Sequence, residues 1–124
     1  MKPALTLAAG AALVLLVSCA RSAESSVERF YLCLSDGKVT EAKELVSKQL
    51  LGMAGENKIQ AALAKEAEQI QAKGGIKSVV VQLEGKGEIR SGKATITYKN
   101  VEGPRVEKVK VIKEDGTWKL TADK

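Results

Sequence analysis

The stretch Val111-Ile112-Lys113-Glu114-Asp115-Gly116-Thr117-Trp118-Lys119-Leu120 decides the fold of this chain. Apolar and polar residues alternate along it with the period of two that is typical of a half-buried β-strand. The dipeptide Asp115-Gly116 interrupts this alternation and favours a tight hairpin turn. The stretch therefore predicts two antiparallel strands, and it places Trp118, Leu120 and Ala122 on one face of the second strand.

The same alternation continues towards the N-terminus. In residues 105–114 valines alternate with lysines, and residues 93–100 alternate just as regularly. Residues 76–84 are rich in the β-branched side chains that strands favour. Glycines, and the pair Gly103-Pro104, separate these segments and predict turns. The side chains predicted to face the core are Ala94, Ile96, Tyr98, Val109 and Val111.

The residues before these strands follow the helical period instead. Ser25 and Glu28 have the spacing of a capping box that opens a first helix, and Asp36-Gly37 predicts its end. Thr40 is predicted to cap a second, short helix, and a third is predicted over residues 57–73. The inward stripes are Val27, Phe30, Tyr31 and Leu34; Ala42, Leu45 and Val46; and Ile59, Leu63, Ala67 and Ile70.

This order of elements indicates an α+β domain. Three N-terminal helices are expected to pack on a four-stranded antiparallel sheet, with one face of the sheet covered by helices and the other polar.

The composition narrows the chemistry that is available. The 124 residues include 20 Lys and Arg, 15 Asp and Glu, two Cys and no His. The absence of histidine excludes Ser-His and Cys-His catalysis and His-ligated metals. The sequence also has no paired-carboxylate spacing, nucleophile motif or phosphate-binding loop. We therefore predict that the protein is not an enzyme and carries neither a metal nor a cofactor.

The N-terminus is typical of an export signal. Lys2 precedes an apolar run over residues 4–17, whose helical length of ~21 Å is too short for a hydrocarbon core of ~30 Å. The run ends in Leu16-Val17-Ser18-Cys19, which resembles the bacterial lipobox. The resemblance implies cleavage before Cys19 and attachment of diacylglycerol to its thiol. An ordinary secretory signal or an uncleaved anchor is the alternative.

These signals divide the chain into three parts. Residues 1–18 are predicted to be a signal peptide, residues 19–25 the lipidated cysteine and a short tether, and residues 26–124 the folded domain. Lipidation predicts a membrane-anchored protein of the bacterial cell envelope, and Ala20 after the cysteine favours the periplasmic side of the outer membrane if the source has two membranes. With Cys19 lipidated, Cys33 has no disulfide partner and is expected at the edge of the core.

Three segments carry a resemblance to a known family: Val27-Glu28-Arg29-Phe30-Tyr31, Glu41-Ala42-Lys43-Glu44-Leu45, and residues 111–120 with their Asp-Gly-x-Trp-Lys pattern. They resemble an uncharacterised group of small bacterial lipoproteins with a nuclear transport factor 2-like domain, over residues 25–121. The resemblance implies a cone in which helices pack on a curved antiparallel sheet. It implies no single function, because members of this superfamily include isomerases or dehydratases that use Asp and His, ligand binders and mediators of protein contacts.

The aromatic residues are the candidates for a binding site. Phe30, Tyr31, Tyr98 and Trp118 fall on inward faces, where they would line a pocket or simply fill the core. Glu66 is an acid beside the apolar stripe of the third helix. We predict a membrane-anchored envelope lipoprotein whose domain is a non-catalytic binding or interaction module. The alternative is a small-molecule-binding or enzymatic cone with a pocket lined by Tyr31, Tyr98 and Trp118.

Two surfaces are candidates for contact with partners. The first consists of lysines on the face of the strands that points away from the helices, among them Lys99, Lys108, Lys110 and Lys119. They would contact anionic lipid headgroups or an acidic envelope partner, or they would simply be solvated. The apolar segment Leu50-Leu51-Gly52-Met53 would dock a protein or cap the core. The predicted partners are the membrane, through the lipid anchor, and an envelope protein or small ligand. Nucleic acid is not expected, because export removes the domain from it.

Overall fold

The computed structural model describes residues 22–122, so the predicted signal peptide and Cys19 lie outside the described residues. Four helices precede four strands: α1 Ala23–Ser35, α2 Val39–Glu44, α3 Lys48–Ala54, α4 Glu56–Ala72, β1 Ile76–Glu84, β2 Ile89–Tyr98, β3 Arg105–Glu114 and β4 Thr117–Thr121. Within residues 22–122, no helix has both the length and the apolar character needed to span a bilayer.

The strands form one antiparallel sheet in the order β1-β2-β3-β4. β1 and β3 have the predicted bounds, whereas β2 begins at Ile89 rather than at residue 93. The predicted tight turn joins β3 to β4, with φ of 50° at Asp115 and 81° at Gly116. Positive φ at both central residues is the geometry that matches the right-handed twist of the flanking strands.

The first helix begins earlier than the capping-box pattern predicted. Ser22 is the N-cap of α1, because its hydroxyl oxygen accepts a hydrogen bond from the backbone N–H of Ser25 at 3.1 Å. Ala23 is buried against the core, which places the first turn of the helix before Ser25. The chain offers several serines here, and the tertiary packing of Ala23 selects among them.

The predicted second helix is two helices, so four helices rather than three precede the sheet. Val46 leaves the helical conformation to form a parallel bridge with Leu120 of β4. The N–H of Ser47 donates to the carbonyl of Leu120 at 2.8 Å, and the hydroxyl of Ser47 accepts from the N–H of Leu50 at 3.0 Å, which starts α3. This bridge protects the edge of β4 and interrupts the helix. Thr40 lies inside α2, whose N-cap is Lys38.

The core lies between the helices and the inner face of the sheet. The alternation predicted from the sequence is confirmed, since Ala94, Ile96, Tyr98, Val109 and Val111 are all buried. Cys33 is a buried free cysteine. The segment considered as a docking patch forms part of α3, where Leu50 and Leu51 pack against the core and Met53 is 51% exposed.

Gly92 of β2 occupies a position where no side chain fits. A Cβ atom at this residue would lie 1.9 Å from the carbonyl oxygen of Gln82 and 2.8 Å from the Cα of Leu83. The glycine therefore allows β2 to pass unusually close to the backbone of β1.

Candidate functional site

A cleft of about 250 Å³ opens between α1, α4 and the beginning of β3. The second half of α1 supplies one wall because Phe30, Tyr31 and Leu34 lie three and four residues apart on one helix face. The other lining residues are Ala62, Leu63 and Glu66 of α4 and Arg105 and Glu107 of β3. The cleft therefore combines apolar walls with three charged side chains.

Tyr31 brings an unsatisfied hydroxyl into this cleft. Its side chain is only 8% exposed, and its ring meets that of Phe30 edge-to-face at a centroid distance of 5.3 Å. Within the described part of the chain, the hydroxyl has no hydrogen-bond partner, although every fully buried side-chain nitrogen or oxygen there has one. The hydroxyl is therefore not fully enclosed, and because Tyr31 lines the cleft, we infer that this group is available to a ligand there.

The charges around Tyr31 are predominantly negative. Arg105 and Glu107, two residues apart on the inner face of β3, form an ion pair. Glu66 approaches from α4, one turn beyond Leu63, and is half-buried. Burial, followed by the negative charges of Glu107 and Glu66, raises the pKa of Tyr31 above its ordinary value. The phenol therefore stays protonated across the physiological range and keeps a hydrogen to donate.

The same charges act on neighbouring groups. Burial, and then the charge of Glu66, raises the pKa of Tyr98. The charge of Glu107 is the main cause that raises the pKa of Arg105. Among residues 22–122, no group of three or more His, Cys, Asp or Glu side chains could hold a metal ion.

The structure brings together only part of the predicted aromatic pocket. Phe30 and Tyr31 line the cleft, while Tyr98 is buried beneath the ammonium of Lys73, which lies 4.7 Å from its ring centroid. Trp118 does not line the cleft. It pairs with Lys113 beside the β3–β4 turn, whereas the cleft lies at the beginning of β3, so the pocket of Tyr31, Tyr98 and Trp118 is not formed.

Sequence reasoning missed two residues of the cleft, Arg105 and Glu107. The sequence does indicate their position, since alternate residues of a strand lie on one face, and residues 105 and 107 alternate in phase with the buried Val109 and Val111. Both residues are charged, and Arg105 is exposed and Glu107 half-buried, whereas the two valines are buried. Glu66 lies where the sequence placed it, next to the buried stripe of α4.

The candidate lysines do not form one surface. Lys108 and Lys110 line a groove of about 500 Å³ on the outer face of the sheet, together with Ser91 and Thr121. Lys99 follows the far end of β2, and its N–H donates to the carbonyl of Gly75 at 3.0 Å. The ammonium of Lys119 donates to the carbonyl of Glu44 at the end of α2, where a cation stabilises the helix terminus.

No protein-family model matches this sequence, and no curated protein matches it. Among solved structures, the chain is similar to a protein of Campylobacter jejuni described as a "Putative NTF2-like transpeptidase". The identity is 15%, the TM-score is 0.64, and the match covers 78% of this chain and 94% of that chain. A likeness at this identity concerns the fold alone. It confirms the α+β architecture that the resemblance implied: this chain has a nuclear transport factor 2-like fold.

Proposed function

We propose that this protein is a lipid-anchored lipoprotein of the bacterial cell envelope whose nuclear transport factor 2-like domain is a non-catalytic binding module. The ligand enters the cleft between α1, α4 and β3. The observation that carries this proposal is Tyr31, a buried residue whose hydroxyl opens onto the cleft without a partner in the described chain. A polar group held in an apolar wall is how binding sites orient a ligand.

The composition of the cleft supports binding rather than catalysis. None of the residues that line it is a Ser, Thr, Cys or His, and Cys33 is buried in the core. Acyl transfer of the kind named for the structural neighbour needs a nucleophile and a base that activates it. Glu107 is engaged by Arg105, which leaves Glu66 without a second carboxylate free to act with it.

The direction of α1 supports access to the cleft in an anchored protein. α1 packs against β1, β3 and β4, and the hydroxyl of Ser35 at its end accepts the N–H of Ile76 at the start of β1. The beginning of α1 therefore lies towards β4, and Tyr31 lies ~12 Å further along the helix axis. A lipid on Cys19 would precede the beginning of α1 in the chain, whereas Tyr31 lies in the second half of that helix, which supports a cleft that stays accessible from the aqueous side.

The anchor is tested with the full-length chain and its Cys19→Ser variant, with Cys33→Ser as the matched control. We expect the wild type and Cys33→Ser to be acylated and to sediment with membranes, because lipidation needs only the thiol of Cys19. Cys19→Ser should keep its N-terminal segment and carry no acyl mass. Acylation of Cys19→Ser, or membrane-bound Cys19→Ser cut before residue 19, would contradict the anchor.

The binding role is tested by filling the cleft. Ala62 lines it, so Ala62→Trp should occupy the space, while Gln69→Trp adds the same side chain to an exposed position of the same helix. We expect the full-length wild type and Gln69→Trp, but not Ala62→Trp, to retain small molecules or peptides from the low-mass fraction of an envelope extract, detected by mass spectrometry. Equal retention by all three proteins would refute the cleft as the binding site.

A further inference from the structure

The charges of the cleft do not cancel. Arg105 is the only cation among the lining residues, and Glu107 already neutralises it in an ion pair. Glu66 takes part in no ion pair or hydrogen bond among residues 22–122. One half-buried carboxylate is therefore left without a counter-charge in a partly apolar site, where a cation from outside the chain would stabilise it.

The size and walls of the cleft limit what that cation can be. The volume of about 250 Å³ is below the ~300–1,000 Å³ of sites for drug-sized ligands, so the cleft accepts a group about as large as one side chain. Its walls include Phe30, Leu34 and Leu63, which suit an aliphatic stem. The Phe30–Tyr31 pair adds aromatic surface that attracts a cation.

On the basis of the binding function proposed above, we propose that this cleft binds a primary ammonium group carried on an aliphatic stem, with Glu66 as its counter-ion. The ammonium donates hydrogen bonds to the Glu66 carboxylate and to the hydroxyl oxygen of Tyr31. The same chemistry is offered by a small alkylamine and by a lysine side chain of a peptide. An anionic ligand is disfavoured, because it would meet Glu66 and Glu107 beside an arginine that is already paired.

The experiment compares probes of one shape and different charge on the full-length protein in detergent micelles. Calorimetry measures the binding of hexylammonium, hexanol and hexanoate, with Ala62→Trp as the blank for binding to micelles. We expect hexylammonium to bind at least about tenfold more tightly than hexanol, since hydrogen bonds to charged groups are the strong ones. Hexanoate should not bind the cleft. Acetyl-Gly-Lys-Gly-amide distinguishes the two sources: tighter binding than hexylammonium assigns the site to a peptide, and weaker binding assigns it to a free amine.

A pair of matched variants decides the role of Glu66. Glu66→Gln should lose the preference for hexylammonium over hexanol, whereas Glu68→Gln, on the exposed face of the same helix, should keep it. An unchanged preference in Glu66→Gln overturns the ammonium proposal. So does binding of hexanol or hexanoate as tight as that of hexylammonium, if Ala62→Trp abolishes it. Both outcomes leave the cleft as a binding site. If Ala62→Trp binds every probe as well as the wild type does, the ammonium proposal is overturned, and the extract experiment decides the binding role separately.

Discussion

Replacing Trp118 by alanine tests how the last strand is held to the core. Trp118 lies on the inner face of β4 and is only 7% exposed. The guanidinium of Arg90 lies 4.6 Å from the centroid of its ring, and the ammonium of Lys113 lies 5.8 Å from it. The side chain therefore joins three strands, since Arg90 belongs to β2 and Lys113 to β3.

The cost of removing this ring follows from its burial. An aromatic side chain buries ~150–250 Å² on folding, which corresponds to about 4–6 kcal/mol at ~25 cal/mol per Å². Alanine retains part of that contribution, and measured Trp-to-Ala substitutions in cores cost about 3–5 kcal/mol. The two cation–π contacts contribute about 0.5–1 kcal/mol each where they are exposed. The loss is a large share of the ~5–15 kcal/mol by which a domain is stable.

The assay is thermal unfolding followed by far-ultraviolet circular dichroism, because Trp118 is the only tryptophan and its removal abolishes the fluorescence signal. A domain of this size loses ~4–8 °C in Tm per kcal/mol, so Trp118→Ala should lower Tm by well over ~10 °C. Thr117→Ala, at an exposed position of the same strand, should change Tm by a few degrees at most. If the two variants melted together, Trp118 would not anchor the sheet and the inner face of β4 would be assigned wrongly.

Two further predictions follow from the backbone and from the tyrosines. Gly92→Ala should lower the free energy of unfolding, measured in denaturant, by about 2 kcal/mol or more, because its Cβ would lie 1.9 Å from the Gln82 carbonyl oxygen. Gly52→Ala is the control, since a Cβ there would have no atom within 4 Å; in helix α3 it should be neutral or stabilising. Equal effects would contradict the close approach of β1 and β2. Tyr31 and Tyr98 both have a folded-state pKa above the ordinary 10.0. The stability that this shift contributes is therefore complete below about pH 10, and it is lost as the pH rises towards the folded-state pKa. Phenolate absorbance should appear at higher pH in the folded protein than in denaturant, and coincident titration curves would refute the burial of the phenols.

The sequence predicts the sheet better than it predicts the helices, for a physical reason. The Asp115-Gly116 turn and the alternation in β3 and β4 are local signals, and the structure confirms them. The break between α2 and α3 is not local, because it depends on Val46 pairing with Leu120, which is distant in the sequence. No periodicity within residues 39–54 records that pairing.

The candidate site was predicted only in part. The alternation along a strand tells which face of the sheet a side chain occupies, but not near which end of the sheet it lies. Phe30 and Tyr31 could be placed on one stripe, since they follow Val27 by three and four residues and precede Leu34 by four and three, which is the spacing of one helix face. Tyr98 and Trp118 share the inner face of the sheet, yet Trp118 lies near the β3–β4 turn and Arg105 at the opposite end of β3. Separating the two ends requires the register of the whole sheet.

Among the described residues, cations cover two aromatic rings, and neither of these rings lines the cleft. Lys73 covers the ring of Tyr98, and Arg90 and Lys113 lie over that of Trp118, so cations of the chain itself occupy those two rings. Among the described residues no cation covers Phe30 or Tyr31, whose nearest charged neighbours in the cleft include the carboxylates of Glu66 and Glu107. A chain with a formal net charge of +5 thus leaves the rings of Phe30 and Tyr31 beside two carboxylates, with no cation of the described residues over them. An external ammonium would take there the position that Lys73 and Arg90 take at the other rings, and the net charge of the protein gives no indication of this preference.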